Sequence, residues 1–389
     1  MIEYSPTPGE LPQIMNPTKI SLIHKALTYY AYFSGYTPGR LEDINNEKIK
    51  CIVIYSTTAL GDLILNSPAI YALKARFPQA RIVLVSSHKN KDLVENSELF
   101  DDILYWDNKF NNIFNIISKL RRLRPQLAVI LHAHFPYDIL SAVLSGCQYI
   151  FRDHYGKESV ALNHWLTGFS PKYEGHTIQR KLQLLQPLGC DTTQSRMHIP
   201  VAIPAGARDA GKIRIGFQLG ASRDFRRWPV ACFAELGDKL LAAEPTVEIM
   251  LIGGKKEQAL AEEFMALAGP ELRQHTTSLV GQTNLLQLAS AITTFDILVT
   301  GDTGPLHLAI AQQVKTVSLF VTANPLYTGP YQDLNLHRVF YKPIASLPAE
   351  LAQSPFPMIA ITPDEVLHGV LAGLNLDRPP LEEHFRCAG

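Results

Sequence analysis

The stretch CIVIYSTTALGDLILNSPAIYALKARFPQARIVLVS (51–86) reads as strand, helix and strand. CIVIYS (51–56) and RIVLVS (81–86) are short β-branched runs, and the segment between them carries a helical pattern. The same kind of run recurs at LAVILH (127–132), IRIGFQL (213–219), VEIMLIG (247–253), DILVT (296–300) and TVSLFV (316–321). Strand, helix, strand alternation makes parallel sheets, so the fold class is α/β. The runs fall into two sets, separated by IPVAIPAGARDAG (199–211), whose Pro, Gly and Ala content suits a linker. The expected architecture is two Rossmann-like halves, at 51–200 and 211–350.

Length and composition agree with two packed halves. The chain has 389 residues, with 46% hydrophobic and 19% charged, enough apolar material for two cores. Lys plus Arg (36) balances Asp plus Glu (36), so no bulk field drives the chain onto nucleic acid, and any anion site is local. The five cysteines (51, 147, 190, 232, 387) are an odd number without C-x-x-C spacing, which fits neither a disulfide framework nor a zinc site. The first ten residues, MIEYSPTPGE, lack a basic start and an apolar run, and no segment reaches about 18 consecutive apolar residues. The expected compartment is the cytoplasm.

Two flanking segments remain. The extension 1–50 contains SLIHKALTYYAYF (21–33), with helical spacing and an aromatic stripe; it is a helix packed on the first half or an anchor at a membrane surface. In the tail 351–389, Thr362, Pro363 and Glu365 stand in the order of a capping box and open a helix through about Leu371.

In open parallel sheets ligands bind outside the carboxyl ends of the strands. After the first strand, Gly61 permits a tight backbone approach and Asp62 stands at a helix start, where it is a candidate base or a carboxylate complementing the dipole. After IRIGFQL come Ser222, Arg223, Arg226 and Arg227 ahead of a helix near Pro229, a set suited to a phosphate or to a solvated basic loop. After VEIMLIG, Gly253 and Gly254 allow a turn that leads to Glu257, which is placed to accept from ribose hydroxyls or to cap its helix. After DILVT comes GDTGPLHLAIA, where Thr303, Gly304 and Pro305 lead into an apolar helix with its N–H groups at the strand terminus. His307 follows in the first turn, facing the same region or packed on the helix. His132 and His134 end the third run, and Lys119, Arg121, Arg122 and Arg124 cluster ahead of it, to meet a phosphorylated glycolipid or as a solvated helix face.

Absences narrow the chemistry. The chain has no G-x-x-x-x-G-K-[ST], no D-x-D and no G-x-S-x-G, which removes P-loop, D-x-D metal-nucleotide and α/β-hydrolase readings. TTALGD lacks G-x-G-x-x-G and does not read as a dinucleotide site.

Together these loops resemble glycosyltransferase family 9, the bacterial ADP-heptose:lipopolysaccharide heptosyltransferases. The resemblance runs from about 51 to about 345. It is carried by Gly61, Asp62, Pro68 and Leu73, then Gly220, Arg226, Trp228 and Pro229, then Gly253, Gly254 and Glu257. Last come Asp302, Thr303, Gly304 and His307, with TANPLYTGP from Thr322. What it implies is a GT-B fold: an acceptor domain and a nucleotide-sugar domain facing a central cleft, with the last helix returning to the first domain. It implies an inverting enzyme without metal or other cofactor, moving a heptose or similar sugar from an ADP-sugar donor to a glycolipid or glycan acceptor. Asp62 then resembles the family's base. Ser222, Arg226, Glu257, Thr283, Asp302, Thr303, Gly304 and His307 resemble its donor-binding residues, with Glu257 at the ribose and Thr283, in VGQTN, where the family reads the base. The implied workplace is the cytoplasm or the cytoplasmic face of the inner membrane, by peripheral contact. Arg226 replaces a family lysine, keeping charge but changing geometry, which opens a different donor sugar. The extension 1–50 has no counterpart in common members, which leaves acceptor and assembly open. The alternatives are a GT-B transferase for another nucleotide sugar, the related epimerase architecture, or a non-catalytic nucleotide-sugar binding subunit.

Overall fold

The computed structural model describes residues 17–108, 110–154, 160–170, 175–208 and 211–375. The start of the extension (1–16) and the end of the tail (376–389, with Cys387) lie outside the described residues. The first sheet comprises β1 (Cys51–Ser56), β2 (Arg81–Ser86), β3 (Asp102–Tyr105), β4 (Leu127–His132), β5 (Tyr149–Arg152) and β6 (Gly168–Phe169), in the order β3-β2-β1-β4-β5-β6. The second comprises β7 (Ile213–Gln218), β8 (Val247–Ile252), β9 (Thr276–Ser278), β10 (Ile297–Gly301), β11 (Lys315–Phe320) and β12 (His337–Tyr341), in the order β12-β11-β10-β7-β8-β9. All pairings are parallel. Both sheets have the same doubly wound order, which reverses between β1 and β4 and again between β7 and β10. Crevices at those two reversals are where such folds hold ligands.

Helices α1 (Pro17–Ser34), α2 (Leu60–Arg76), α3 (Ile113–Leu123), α4 (Tyr137–Leu144) and α5 (Thr177–Leu185) flank the first sheet. The second is accompanied by α6 (Val230–Ala243), α7 (Gln258–Leu267), α8 (Pro270–Gln274), α9 (Leu285–Ile292), α10 (Gly304–Ala311), α11 (Pro325–Thr328), α12 (Ala349–Ala352) and α13 (Pro363–Leu374). β1 is buried along its whole length because it packs on both faces. Val53 and Tyr55 join α1, α3 and α4 in one core, while Ile52 and Ile54 face α2 and α5 in another. That second core is shared, since Leu288 and Ile292 of α9 and Leu306 and Ile310 of α10 enter it from the other half. The halves therefore meet through an apolar helix layer, the arrangement of a GT-B fold.

Local sequence explains local detail. Pro68 sits inside α2 and leaves the Ile64 carbonyl without its usual amide donor; the Ser67 hydroxyl donates to that carbonyl at 2.7 Å. In α1, Ile20, Ile23 and Leu27 recur at helical spacing and are buried, so the helix packs on the first half. The aliphatic residues make that packing, while Tyr29, Tyr32 and Phe33 remain exposed.

One expectation is corrected. The last helix does not return to the first half within the described residues. α13 opens as expected, with the Thr362 hydroxyl accepting the Glu365 amide at 3.3 Å. It then buries Val366 and Val370 in the core of the second sheet with α6. Its apolar stripe finds a matching surface there, and the Lys315 ammonium donates to the Gly373 carbonyl at 2.8 Å. Trp228 fixes the approach to this helix, its indole N–H donating to the Ile361 carbonyl at 2.8 Å.

Candidate active site

The reversal of the first sheet places two titratable side chains side by side. The turn after β1 is tied to the end of β4 by the Thr57 amide, which donates to the His132 carbonyl at 2.9 Å. Ala59, the residue ahead of α2, has no side-chain acceptor, and Asp62 Oδ2 accepts the Ala59 amide at 3.2 Å. Asp62 Oδ1 lies 3.0 Å from His132 Nδ1, and the two side chains are 26% and 24% exposed. Burial pushes the Asp62 carboxyl upward, but His132, Lys181 and the Thr58 hydroxyl outweigh it and hold the group well below the usual carboxylate range. The carboxylate thus sits ionised at the positive end of α2 with one oxygen toward the imidazole.

Lys181 is a residue that sequence reasoning passed over. It is fully buried on α5, bonded through Nζ to Asn66 Oδ1, and Asn66 in turn donates to the Ser56 hydroxyl at 2.8 Å. Burial pulls its pKa down to about 8 against the attraction of Asp153 and Asp62. Next to it, Arg180 grips Asp153 with two bonds of 2.7 Å. The available signal was spacing: Lys181 lies three residues after Ile178 and four before Leu185, on the buried face of its helix.

The reversal of the second sheet supplies the other wall. Asp302 is a junction: Oδ2 stands 4.0 Å from Arg226 Nη1, Oδ1 stands 3.9 Å from His307 Nε2, and Oδ1 accepts the Thr328 hydroxyl at 3.3 Å. Thr303 precedes α10, its hydroxyl 2.9 Å from that of Thr300, and Pro305 occupies the first turn where no amide donor is required. His307 is buried, and desolvation takes its pKa down to about 4 although Asp62 opposes it. The imidazole is therefore neutral near pH 7.

Glycines set the distance between the walls. A Cβ on Gly61 would come within 2.8 Å of His307 Cδ2, and one on Gly304 within 2.9 Å of Leu60 Cδ2. The turn carrying Asp62 and the start of α10 thus touch directly. Nearby, His176 Nε2 lies 3.1 Å from the Gly329 carbonyl and its ring stacks on Tyr331 at 4.1 Å, bridging the halves again.

Asp62, His132, Arg226, Asp302 and His307 are thereby brought into one cluster, with Thr303 and Gly304 at the helix start beside it. Glu257 is placed one strand over, at the end of β8, against Gly220, Gly253 and Gly254; a Cβ on Gly220 would run into its side chain. The Gly281 amide donates to the Gly253 carbonyl at 3.0 Å, which sets the turn leading to Thr283 alongside. Ser222 is exposed on the loop between Gly220 and Arg226, and His134 is exposed beyond β4. An ionised carboxylate next to an imidazole can accept a proton, and a helix start with an arginine can stabilise a departing phosphate oxyanion.

A family model described as glycosyltransferase family 9 (heptosyltransferase) matches residues 138–343. The chain is 27% identical to Lipopolysaccharide heptosyltransferase 3 of Escherichia coli, over 70% of this chain and 84% of that protein. It is 26% identical to Lipooligosaccharide heptosyltransferase 2 of Campylobacter jejuni, over 73% of this chain and 85% of that protein. Among solved structures, the ADP-heptose LPS heptosyltransferase II of E. coli superposes with a TM-score of 0.67 at 21% identity, covering 84% of this chain and 99% of that one.

Proposed function

Because this chain belongs to glycosyltransferase family 9, a heptosyltransferase family, we propose that it moves a heptose, or a sugar of similar shape, from an ADP-sugar to a hydroxyl of a lipopolysaccharide core or related envelope glycan. The observation that carries this reading is the direct apposition of the Asp62 turn and the start of α10. It sets a carboxylate flanked by His132 against an arginine and a helix N-terminus. The acceptor hydroxyl attacks the anomeric carbon, its proton passes to Asp62, the bond to the diphosphate breaks, and configuration inverts. Arg226, Ser222 and the backbone amides at Thr303 and Gly304 neutralise charge growing on the departing ADP. Asp302 holds Arg226 and His307 in place, Glu257 takes the ribose hydroxyls, and Thr283 lies in the loop over the base. The acceptor is a glycolipid met at the cytoplasmic face of the inner membrane.

A thermal-shift panel of nucleoside diphosphates and nucleotide sugars tests the donor. A ligand at about 100 times its Kd adds roughly 2.7 kcal/mol of stability, so ADP compounds are expected to raise the melting temperature more than UDP or GDP compounds. A larger shift with UDP-sugars assigns another donor, and binding without any transfer assigns a non-catalytic subunit. Transfer is expected to persist in EDTA; loss restored by Mg²⁺ or Mn²⁺ would contradict the Arg226 cradle.

A further inference from the structure

We propose that the outer face formed by α1 and α3 docks the protein on an anionic lipid bilayer. The two helices form the outer layer over the nearly buried α4, on the side of the first sheet away from the second half. They are joined as one surface by Arg121, whose Nε donates to the Leu144 carbonyl at 2.6 Å and whose guanidinium lies 5.8 Å from the centre of the Tyr30 ring.

Two independent features of this face agree. Large apolar side chains stand in solvent: Tyr32 is 81% exposed, Phe33 80% and Phe114 61%, with Leu22 and Tyr29 also exposed on α1. The opposite stripes of the two helices, with Ile20, Ile23 and Leu27 on α1 and Ile116 and Leu120 on α3, already make their packing on the protein, so nothing in the fold of the half requires the exposed side chains to be apolar. The same helices are cationic without compensation. Residues 17–34 and 113–124 contain Lys19, Lys25, Lys119, Arg121, Arg122 and Arg124 and not one Asp or Glu, in a chain whose formal charge is zero. All six are exposed, and among the described residues none forms an ion pair. Aromatic rings at headgroup depth ringed by Lys and Arg are the chemistry of an anionic membrane surface. A second copy of the chain would set six cations against six. No described helix is long and apolar enough to cross a bilayer, so this is contact at a surface.

The face also leads to the reacting groups. Phe110 packs on Phe114 at 5.8 Å and on Tyr137 at 5.5 Å between ring centres. Two residues before Phe110, Asn108 accepts the Thr57 hydroxyl at 2.7 Å, on the turn that carries Asp62. A bilayer held by α1 and α3 lies beside the acceptor side of the cleft. The proposal deepens the functional reading by naming the surface, and rests on it only for the acceptor being a lipid.

Flotation of the full chain with vesicles, without donor or acceptor, tests docking separately from transfer. Binding is expected to vesicles of mixed phosphatidylglycerol and phosphatidylethanolamine, to be weak on pure phosphatidylcholine, and to fall as salt rises. Arg121→Gln with Arg122→Gln should reduce anionic-vesicle affinity about twenty-fivefold, at about fivefold per surface charge. Tyr32→Ser with Phe33→Ser should reduce it about tenfold or more while the salt dependence persists. Variants that melt like the parent and float like it overturn the proposal, as does absence of anionic-vesicle binding by the parent. A dimer in sedimentation that either double variant dissolves, without vesicle binding, gives the face to a second copy instead.

Discussion

Asp62 Oδ1 lies 3.0 Å from His132 Nδ1, across the point where the first sheet reverses its winding. The other carboxylate oxygen accepts the Ala59 amide at the start of α2. Capping engages one oxygen and leaves the other facing the imidazole, so it does not conflict with the base role proposed for Asp62.

Asp62→Asn separates them. Asn keeps a carbonyl oxygen for the Ala59 amide, so the cap itself should change by at most about 1 kcal/mol, and any further loss of stability reports the carboxylate's attraction to His132 and Lys181. Proton acceptance is lost, and transfer should fall by about 10² or more. Transfer rate, donor affinity and melting temperature are measured side by side; a variant that transfers near the parent rate removes Asp62 from the mechanism.

His132→Gln should shift the acid limb of the kcat/KM profile. With the imidazole present, the carboxyl sits well below its ordinary range, so in the parent Asp62 stays ionised through mildly acidic pH. Removing the largest of the opposing partners leaves burial countered by Lys181 and the Thr58 hydroxyl alone, so the carboxyl pKa rises and the variant should lose activity at a higher pH than the parent on acidification. Superimposable profiles would return His132 to a structural role.

Gly61→Ala adds a methyl within 2.8 Å of the His307 ring. The imidazole is buried and α2 is packed in the core, so the methyl has to displace one of them, at an expected cost of about 1 to 3 kcal/mol with a loss of transfer. Melting temperature and kcat/KM check this; a parent-like variant would show that the two halves do not need to touch there.

Glu257→Ala and His307→Ala should weaken donor binding by roughly tenfold or more, the worth of a hydrogen bond to a charged group. Titration with ADP measures it, and unchanged affinity in both returns them to packing roles.

Buried histidines make the fold acid-sensitive. His176, His307 and His337 each have a folded pKa of about 4, lowered chiefly by burial from an ordinary value of 6.5. Groups with depressed folded values contribute stability that is whole above about pH 6.5 and is lost as pH falls toward 4. The melting temperature should drop progressively across that window, and His337→Asn, remote from the cleft, should flatten the drop. A pH-independent melting temperature between 7 and 4.5 contradicts the burial of these rings as neutral groups.

The seven β-branched runs that the sequence displays became β1, β2, β4, β7, β8, β10 and β11, all flanked by neighbours and covered by helices, where continuous apolar character is required. The strands it concealed are mostly edges: β3, β6, β9 and β12 are short or half-solvated and carry little pattern. β5 is interior yet hidden, because it ends on Arg152, a buried charge paired at 2.8 Å with buried Asp138 and set against His154 Nδ1 at 3.2 Å. Local chemistry likewise declared the turn at Gly61 and Asp62, the GDTGPLH box and the cap at Thr362, since each depends on residues adjacent in the chain. The neighbours of Asp62 were another matter. His132 follows it by seventy positions and Lys181 by more than a hundred, and neither has a local pattern that distinguishes a packed side chain from a working one. The destination of α13 depended on which apolar surface matched its stripe. Proximity across long stretches of chain is set by packing, and packing energy is a property of the assembled surfaces, so only the tertiary structure decided it.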